Sequence, residues 1–506
     1  MSPYALAASA LPLCAVYYLC PGRLQWVFLL CASLLLYAQG GLQPLAFLVG
    51  TTLLVWGAAL LIERIGASCK AALSAAADRA QKQALRRRAK GRQRAVLLAA
   101  LALCFGLLAL LKYLPARPLG LLVPLGISFY TFQSTGYLLD VYGGKQRAER
   151  NPARFLLFVS FFPQLVQGPI GRYGQLAGQL TQPRRFDVRC LRPGLILMAW
   201  GLFKKMVVAD RALAPVNAVF SSPASYGGAV TAVSVLMYSL QQYADFSGGV
   251  DMMIGAAQLF GVELSPNFRR PYFAVSLGDF WRRWHITLGA WMRDYVFYPF
   301  ALCKPVSFLS RLAKKRLGAS FARALPAALG NILVFLLVGL WHGAAMNYVL
   351  WGLYNGVILA ASALLEPAAK RFNERHARLT ASRGFHVFRV LRTFVIVNIG
   401  WYFDRSPDFR DALSMLWRTF TQPCLSQLTD GTLLSLGLTR MGFVLLAVCT
   451  LVLFTVSLLQ ERGVHIRDSL DALPLPVRWL LLYMLAGMIL MFSVTGATQT
   501  FIYAMF

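Results

Sequence analysis

The amino-acid sequence predicts an all-α, polytopic membrane protein, and three observations carry that expectation. Of its 506 residues, 58% are hydrophobic and only 14% charged, with a mean hydropathy of +0.56, far too apolar for an ordinary soluble chain of this size. Apolar stretches of about 20 residues, the length that crosses a bilayer, recur from end to end. The basic residues gather between those stretches. Roughly 11 to 13 spans are expected, with the short, aromatic or Gly/Pro-broken segments re-entrant or interfacial.

In chain order, "MSPYALAASALPLCAVYYLC" lacks a basic n-region and is expected to be a retained membrane helix. Residues 1–94 are expected to supply N-terminal helices with a basic loop at 64–94, whose Ala-, Lys- and Arg-rich part, Lys70 to Arg94, reads as a basic cytoplasmic or interfacial helix. Further basic loops run from Lys304 to Arg323 and from Lys370 to Arg392. Fifty Lys and Arg against twenty Asp and Glu leave a formal charge of +30. That balance in a soluble domain points to nucleic acid, but loop-clustered basic residues mark the cytoplasmic face and attract anionic membrane lipids, so no nucleic-acid partner is expected. The cysteines stand mostly singly in apolar segments and read as small buried hydrophobes. No soluble domain can be cut out, and residues 1–506 are expected to form one multi-pass domain of the cell membrane. Its motif-bearing core covers about 95–405, and 406–506 supply C-terminal helices.

From Pro124 to Tyr354 the chain combines Gly, Pro, aromatics and charges at apparent membrane depth. Such groups are tolerated there only where protein buries them or a water-filled cavity meets them, so this region surrounds a site. In "DFWRRWHITLGAWMRDYVFYP", Trp281, Trp284, Leu288, Trp291 and Tyr295 fall at helical spacing and predict one aromatic stripe, flanked by Arg282, Arg283 and Asp279. His285 adjoins the stripe as a structural hydrogen-bonder or a catalyst. His342, in "LVGLWHGAAMNYVLWG", is the sole acidic, basic or histidine side chain between Arg323 and Glu366. Small residues follow it and let a helix or a ligand approach the imidazole. It reads either as one interhelical hydrogen bond or as a functional group, and Asn347 is placed to orient its ring. Asp245 and Asp251 in "QYADFSGGVDMMIG" offer a cap for a helix starting near Ser247 or a polar tunnel wall. In "SFFPQLVQGPIGRYGQL" the prolines and glycines predict a broken helix, with Gln164 among its candidate tunnel-lining residues.

A neutral imidazole accepts a proton from an alcohol near neutral pH, which suits acyl transfer from an ester or thioester. No G-x-S-x-G elbow suggests a covalent serine intermediate. No H-E-x-x-H motif or third ligand accompanies the histidines, so no metal is expected.

Together, "PLGISFYTFQSTGYLLDVYGG", "SFFPQLVQGPI", "NFRRPYFAVSLGDFWRRWHITLGAWMRDYVFYP" and "GLWHGAAMNYVLWGLYNG", in that order, resemble the membrane-bound O-acyltransferase superfamily. The similar branch holds the alginate O-acetylation membrane protein and the D-alanyl transfer protein of teichoic acid synthesis. The resemblance implies helices ringed around a central tunnel, His342 as general base and His285 as a second catalytic histidine. Trp281, Arg282, Trp284, Asp245, Gln164 and Asn347 are then expected to bind substrate. It further implies a cytoplasmic acyl thioester donor, acetyl-CoA or an acyl or D-alanyl carrier protein, with no permanently bound cofactor. The acceptor would be a hydroxyl of an envelope or extracellular polysaccharide, reached directly or through an exported SGNH-hydrolase-like acetyltransferase. "WRRWH" sides with polysaccharide O-acetylation; D-alanyl transfer to lipoteichoic acid is the alternative. The chain departs from the family pattern at Ala244, Gly249 and Val250 and after Pro299, near the substrate path. A transporter of lipid-linked sugar, which also needs polar groups at membrane depth, is the reading from another class.

Overall fold

The computed structural model describes residues 3–76, 78–113, 123–165 and 167–494; the end of the expected C-terminal segment, 495–506, lies outside them. The chain is helical, and among the described residues its only isolated extended pairing is a bridge between Phe268 and Trp284. The chain folds as two compact units. The first comprises 3–198 and 253–265, the second 199–252 and 266–494.

In the first unit, α1 (Pro3–Leu19) and α2 (Gln25–Ala38) precede α3 (Leu42–Ala75) and α4 (Arg79–Tyr113). Then come α5 (Ile127–Tyr142), α6 (Pro152–Ser160), α7 (Phe162–Leu165), α8 (Tyr173–Thr181) and most of α9 (Val188–Leu202). The basic stretch Lys70 to Arg94 is not a separate interfacial helix: it makes up the adjoining ends of α3 and α4, 34 and 35 residues long. Ala, Lys, Arg and Gln all favour helix, so nothing stops α3 before Ala76. At 1.5 Å per residue each helix measures about 50 Å against the roughly 30 Å of hydrocarbon, so the charged ends extend past the lipid.

The expected broken helix is present at α7. A Cβ on Gly168 would lie 2.4 Å from the Gln164 Cα, and Gly126, at φ +72°, would meet the Leu165 carbonyl at 2.2 Å. Backbone crosses backbone there, and only glycine fits.

In the second unit a π-helical segment, Phe203–Ala209, leads into α10 (Asp210–Ser221) and the 32-residue α11 (Gly228–Leu259), which returns to the first unit at its end. Two short helices, α12 (Leu277–Arg283) and α13 (Ile286–Met292), precede a second π-helical segment, Arg293–Phe297, and α14 (Tyr298–Ala301). The basic α15 (Lys304–Leu317) then joins a hairpin of α16 (Ala319–His342) and α17 (Met346–Arg375). The chain continues through α18 (Ala377–Thr380), α19 (Arg383–Arg405), α20 (Phe409–Thr421), α21 (Arg440–Glu461), α22 (Ile466–Ala472) and α23 (Leu475–Phe492). Side-chain caps mark where several begin: Ser276 on α12, Ser382 on α19, Asp408 on α20 and Thr439 on α21. Six of the described helices, α3, α4, α16, α17, α21 and α23, are long and apolar enough to cross a bilayer. The protein is thus a polytopic helical membrane protein.

The single aromatic stripe expected from Trp281 to Tyr295 is interrupted. Trp284 is extended and His285 is left-handed at φ 46°. Asn267 holds the break: its side-chain oxygen accepts the Thr287 N–H at 3.0 Å and the Thr287 hydroxyl at 2.9 Å, and its carbonyl accepts the Ile286 N–H at 3.0 Å. These bonds replace the helical ones lost at the break.

The hairpin of α16 and α17 carries the site. A Cβ on Gly339 would lie 2.4 Å from the Tyr348 carbonyl oxygen, and one on Gly352 would lie 2.4 Å from the Phe335 carbonyl oxygen. The two backbones touch, as small residues permit between membrane helices. Gly352→Leu is therefore expected to push them apart at a cost of about 1–3 kcal/mol. Gly57→Ala, whose added methyl meets nothing within 4 Å, serves as control. Detergent-solubilised melting temperature, followed by fluorescence-detected size exclusion, should fall for the first variant and not for the second.

Candidate active site

His342 ends α16, and Gly343 to Ala345 turn the chain into α17. The imidazole is 5% exposed. Trp341, Trp351 and Tyr348 surround it, with ring centroids 5.1, 4.8 and 6.1 Å away. His285 lines the same cavity of 460 Å³, which also takes in Trp281, Arg282, Trp284 and Gln242. Trp341 stands beside both imidazoles, its ring 6.3 Å from that of His285. The four predicted residues of the WRRWH motif therefore do meet His342 in one place.

Each is held in its own way. His285 Nδ1 lies 3.2 Å from Asn267 Oδ1, and its ring stands edge-on to Phe246 at 4.9 Å. Burial pushes the His285 imidazole down from its ordinary range, to about 3, so it is neutral at physiological pH. Trp281 donates its indole N–H to Asn355 Oδ1 at 3.1 Å and packs on Phe335 and Trp351. Trp284 is buried among Phe268, Phe280 and Trp401. Arg282 is exposed at the cavity rim, 3.6 Å from Asp279.

The other three predicted residues do other work. Asn347 does not orient the histidine ring; its amide donates to the carbonyls of Phe403, at 3.1 Å, and Ser406, at 3.0 Å. It ties the start of α17 to the end of α19, because free carbonyls at a helix terminus need donors. Asp245 caps no helix, since α11 runs through it, and it is absent from the cavity wall. Lys205 Nζ stands 2.5 Å from Asp245 Oδ1 and 2.7 Å from Asp210 Oδ1, while Lys204 Nζ reaches Asp251 Oδ2 at 2.7 Å and Ser247 Oγ at 2.8 Å. Buried charges persist when paired in this way. Gln164, in the first unit, donates to the Pro169 carbonyl at 3.2 Å and accepts from Gln133 at 3.2 Å, which satisfies the backbone of the broken helix.

Sequence reasoning missed two groups beside the histidines. Asp404, near the end of α19, places Oδ1 3.8 Å from His342 Nδ1 and accepts the Tyr238 hydroxyl on Oδ2 at 2.6 Å. Gln242, on α11, is 2% exposed, lines the cavity and leaves its amide oxygen without a hydrogen bond among the described residues. A signal existed for Asp404, the sole acidic residue between Glu374 and Asp408 and the end of the apolar run "TFVIVNIGWYF". Gln242 carried none, being one glutamine of a pair in a polar stretch.

Residues 145–399 match the family model described as the membrane-bound O-acyltransferase family. The chain is 33% identical over 324 residues to a peptidoglycan O-acetyltransferase of Helicobacter pylori, covering 59% of this chain and 57% of that one. It is 33% identical over 300 residues to a "Probable alginate O-acetylase" of Pseudomonas syringae, covering 59% and 52%. A teichoic acid D-alanyltransferase of Bacillus subtilis is 28% identical over 298 residues, covering 58% and 71%. The chain thus spans little more than half the length of the first two relatives.

The Lys205 pairing has a measurable consequence. Lys205→Met is expected to leave Asp210 and Asp245 as buried, unbalanced charges and to cost about 3–5 kcal/mol. Asp245→Asn leaves Lys205 paired with Asp210 and should cost less. Abundance in the membrane fraction and melting in detergent give the order of the two variants.

Proposed function

Because the chain belongs to the membrane-bound O-acyltransferase family, we propose that it moves an acyl group, acetyl as first choice, from a thioester to a hydroxyl of a cell-envelope or extracellular polysaccharide. Transfer is direct or passes through an exported partner acetyltransferase. The observation that carries this reading is the buried His342 imidazole in one aromatic-walled cavity with His285.

In this mechanism His342 takes the proton of the acceptor hydroxyl as its oxygen attacks the thioester carbonyl. The tetrahedral intermediate collapses with cleavage of the C–S bond, and the imidazolium returns the proton to the leaving thiolate. Ester and thiol are the products, and the histidine is regenerated. The Gln242 amide oxygen, which lines the cavity, is suited to accept a hydrogen bond from a hydroxyl of the acceptor, whereas the Asn347 NH2 is committed to the Phe403 and Ser406 carbonyls. Neutral His285, fixed by Asn267, helps hold donor or acceptor, and the indole rings of Trp281 and Trp284 keep bulk water from the thioester.

A second feature bears on the donor. A recess of 640 Å³ between α15 and α16 is lined by Arg311, Lys314 and Arg323 and shares Phe297 and Tyr298 with the reaction cavity. Such a mouth suits a negatively charged donor head: the phosphates of acetyl-CoA, or an acidic carrier protein delivering D-alanine, the alternative reading.

Ester content of purified envelope polymers, by base release and mass detection, tests the proposal in cells with wild type, His342→Ala or no copy. His342→Ala at normal protein level should lose ester by about 10²-fold or more, and the released acid, acetate or D-alanine, identifies the acyl group. Unchanged ester in both mutant and deletion overturns the reading. In membrane vesicles, replacing Arg311, Lys314 and Arg323 together by Ala should raise the KM for the charged donor and weaken its salt dependence, with kcat little changed.

A further inference from the structure

We propose that Asp404, held by Tyr238, is the positioning residue for His342: its carboxylate accepts a hydrogen bond from the Nδ1–H of the neutral imidazole, which keeps the proton on Nδ1 and leaves the Nε2 lone pair free for the acceptor hydroxyl. This deepens the reading of His342 as general base and rests on it.

Four observations support the assignment. Asp404 is 5% exposed, and Oδ1 has no hydrogen-bond partner among the described residues while lying 3.8 Å from His342 Nδ1. A buried carboxylate oxygen left in that state is costly, and a shift of about 1 Å brings it to hydrogen-bond distance. Catalytic hydrogen bonds are often long without substrate and tighten in the reacting complex. The other oxygen, Oδ2, is taken by the Tyr238 hydroxyl at 2.6 Å, which sets the carboxylate plane and leaves Oδ1 for the ring. The neighbouring cation does not compete: Arg405 donates to Asn217 Oδ1 at 2.6 Å and lies over the Phe220 ring. Finally, Asn347 clamps the carbonyls of Phe403 and Ser406, the residues just before and two after Asp404, so the backbone under the carboxylate is fixed from the helix that follows the histidine.

The chemistry requires such a group. An imidazole acts as a base through one nitrogen only when the other carries the proton, and a carboxylate against that second nitrogen selects the tautomer and steadies the imidazolium as it forms. Asp404 lies outside the matched segment 145–399, so the family match does not assign it. Tyr238 comes from α11 and Asp404 from α19, and they meet His342 of α16 only in the folded chain.

The experiment measures initial rates of ester formation in membrane vesicles. Radiolabelled acetyl-CoA is the donor, and the cell's own envelope polymer is the acceptor. If the polymer takes D-alanine instead, the D-alanyl carrier protein replaces acetyl-CoA. Asp404→Asn is expected to lower kcat by about 10² to 10⁴ with the donor KM nearly unchanged. Asp404→Glu should restore part of the loss, because the charge returns. Tyr238→Phe should lower kcat more modestly. The double variant Asp404→Asn/Tyr238→Phe should be no slower than Asp404→Asn alone, since Tyr238 acts through the carboxylate. Abundance and melting in detergent are followed for every variant; if Asp404→Asn does not accumulate, Asp404→Glu and Tyr238→Phe carry the test through the same kcat and KM split. Inactive His342→Ala with wild-type kcat in Asp404→Asn overturns the positioning role and leaves the base in place. Activity retained in His342→Ala overturns both. A loss in Asp404→Asn that appears only in KM also overturns the proposal, as does, where Asp404→Asn does not accumulate, a wild-type kcat per folded enzyme in Tyr238→Phe.

Discussion

The contact between the backbones of α16 and α17 at Gly339 and Gly352 is the constraint on which the second unit's site depends. With a Cβ at either position a carbonyl oxygen would be overlapped, so the hairpin keeps its register only while both remain glycine. Lipid provides little hydrophobic drive between helices, and close packing of small residues takes its place. That register puts the end of α16, with His342, beside the start of α17, with Asn347. Asn347 in turn holds the end of α19, with Asp404. Three helix ends are thereby gathered at one point, and helix ends are where side chains and free backbone groups are available for chemistry.

The polar groups of this region divide into two populations by their partners. Lys204, Lys205, Asp210, Asp245 and Asp251 pair with one another around the π-helical segment, and Asn267 and Asn347 answer backbone groups where helices break or end. These are the protein's internal substitutes for water. His285, Gln242, Trp281 and Arg282 instead face a cavity, and His342 joins them with Asp404 behind it. Rarity in an apolar segment marks both populations equally, and only the partner separates structural polarity from functional polarity.

In the proposed acyl transfer to a hydroxyl, the parts of the site would divide the tasks: aromatic rings enclose the cavity that holds His342 and His285, and a basic recess adjoins it on the side of α15. The same arrangement fits acetyl or D-alanyl transfer, since both begin at a thioester and end at an oxygen. The choice between them falls to the donor head and the shape of the cavity rim, where Arg282 and the segment after Pro299 lie.

Much of this was legible in one dimension. The helical membrane class follows from apolar stretches matched to bilayer thickness, and the two histidines and the WRRWH aromatics stand out because such groups are rare at that depth. Local signals went astray where tertiary contacts overrode them: the Trp281–Tyr295 stripe breaks at His285 because Asn267, eighteen residues earlier, captures the backbone, and Lys70 to Arg94 merely lengthens two helices. The sequence by itself determined the membrane class and the chemistry on offer, since hydropathy and side-chain type are properties of each residue alone. Which polar residue serves that chemistry was decided only by tertiary structure. Asp404 rather than Asn347 stands against His342, and Asp245 faces a lysine rather than a cavity, because a hydrogen bond or ion pair depends on distances that folding alone creates.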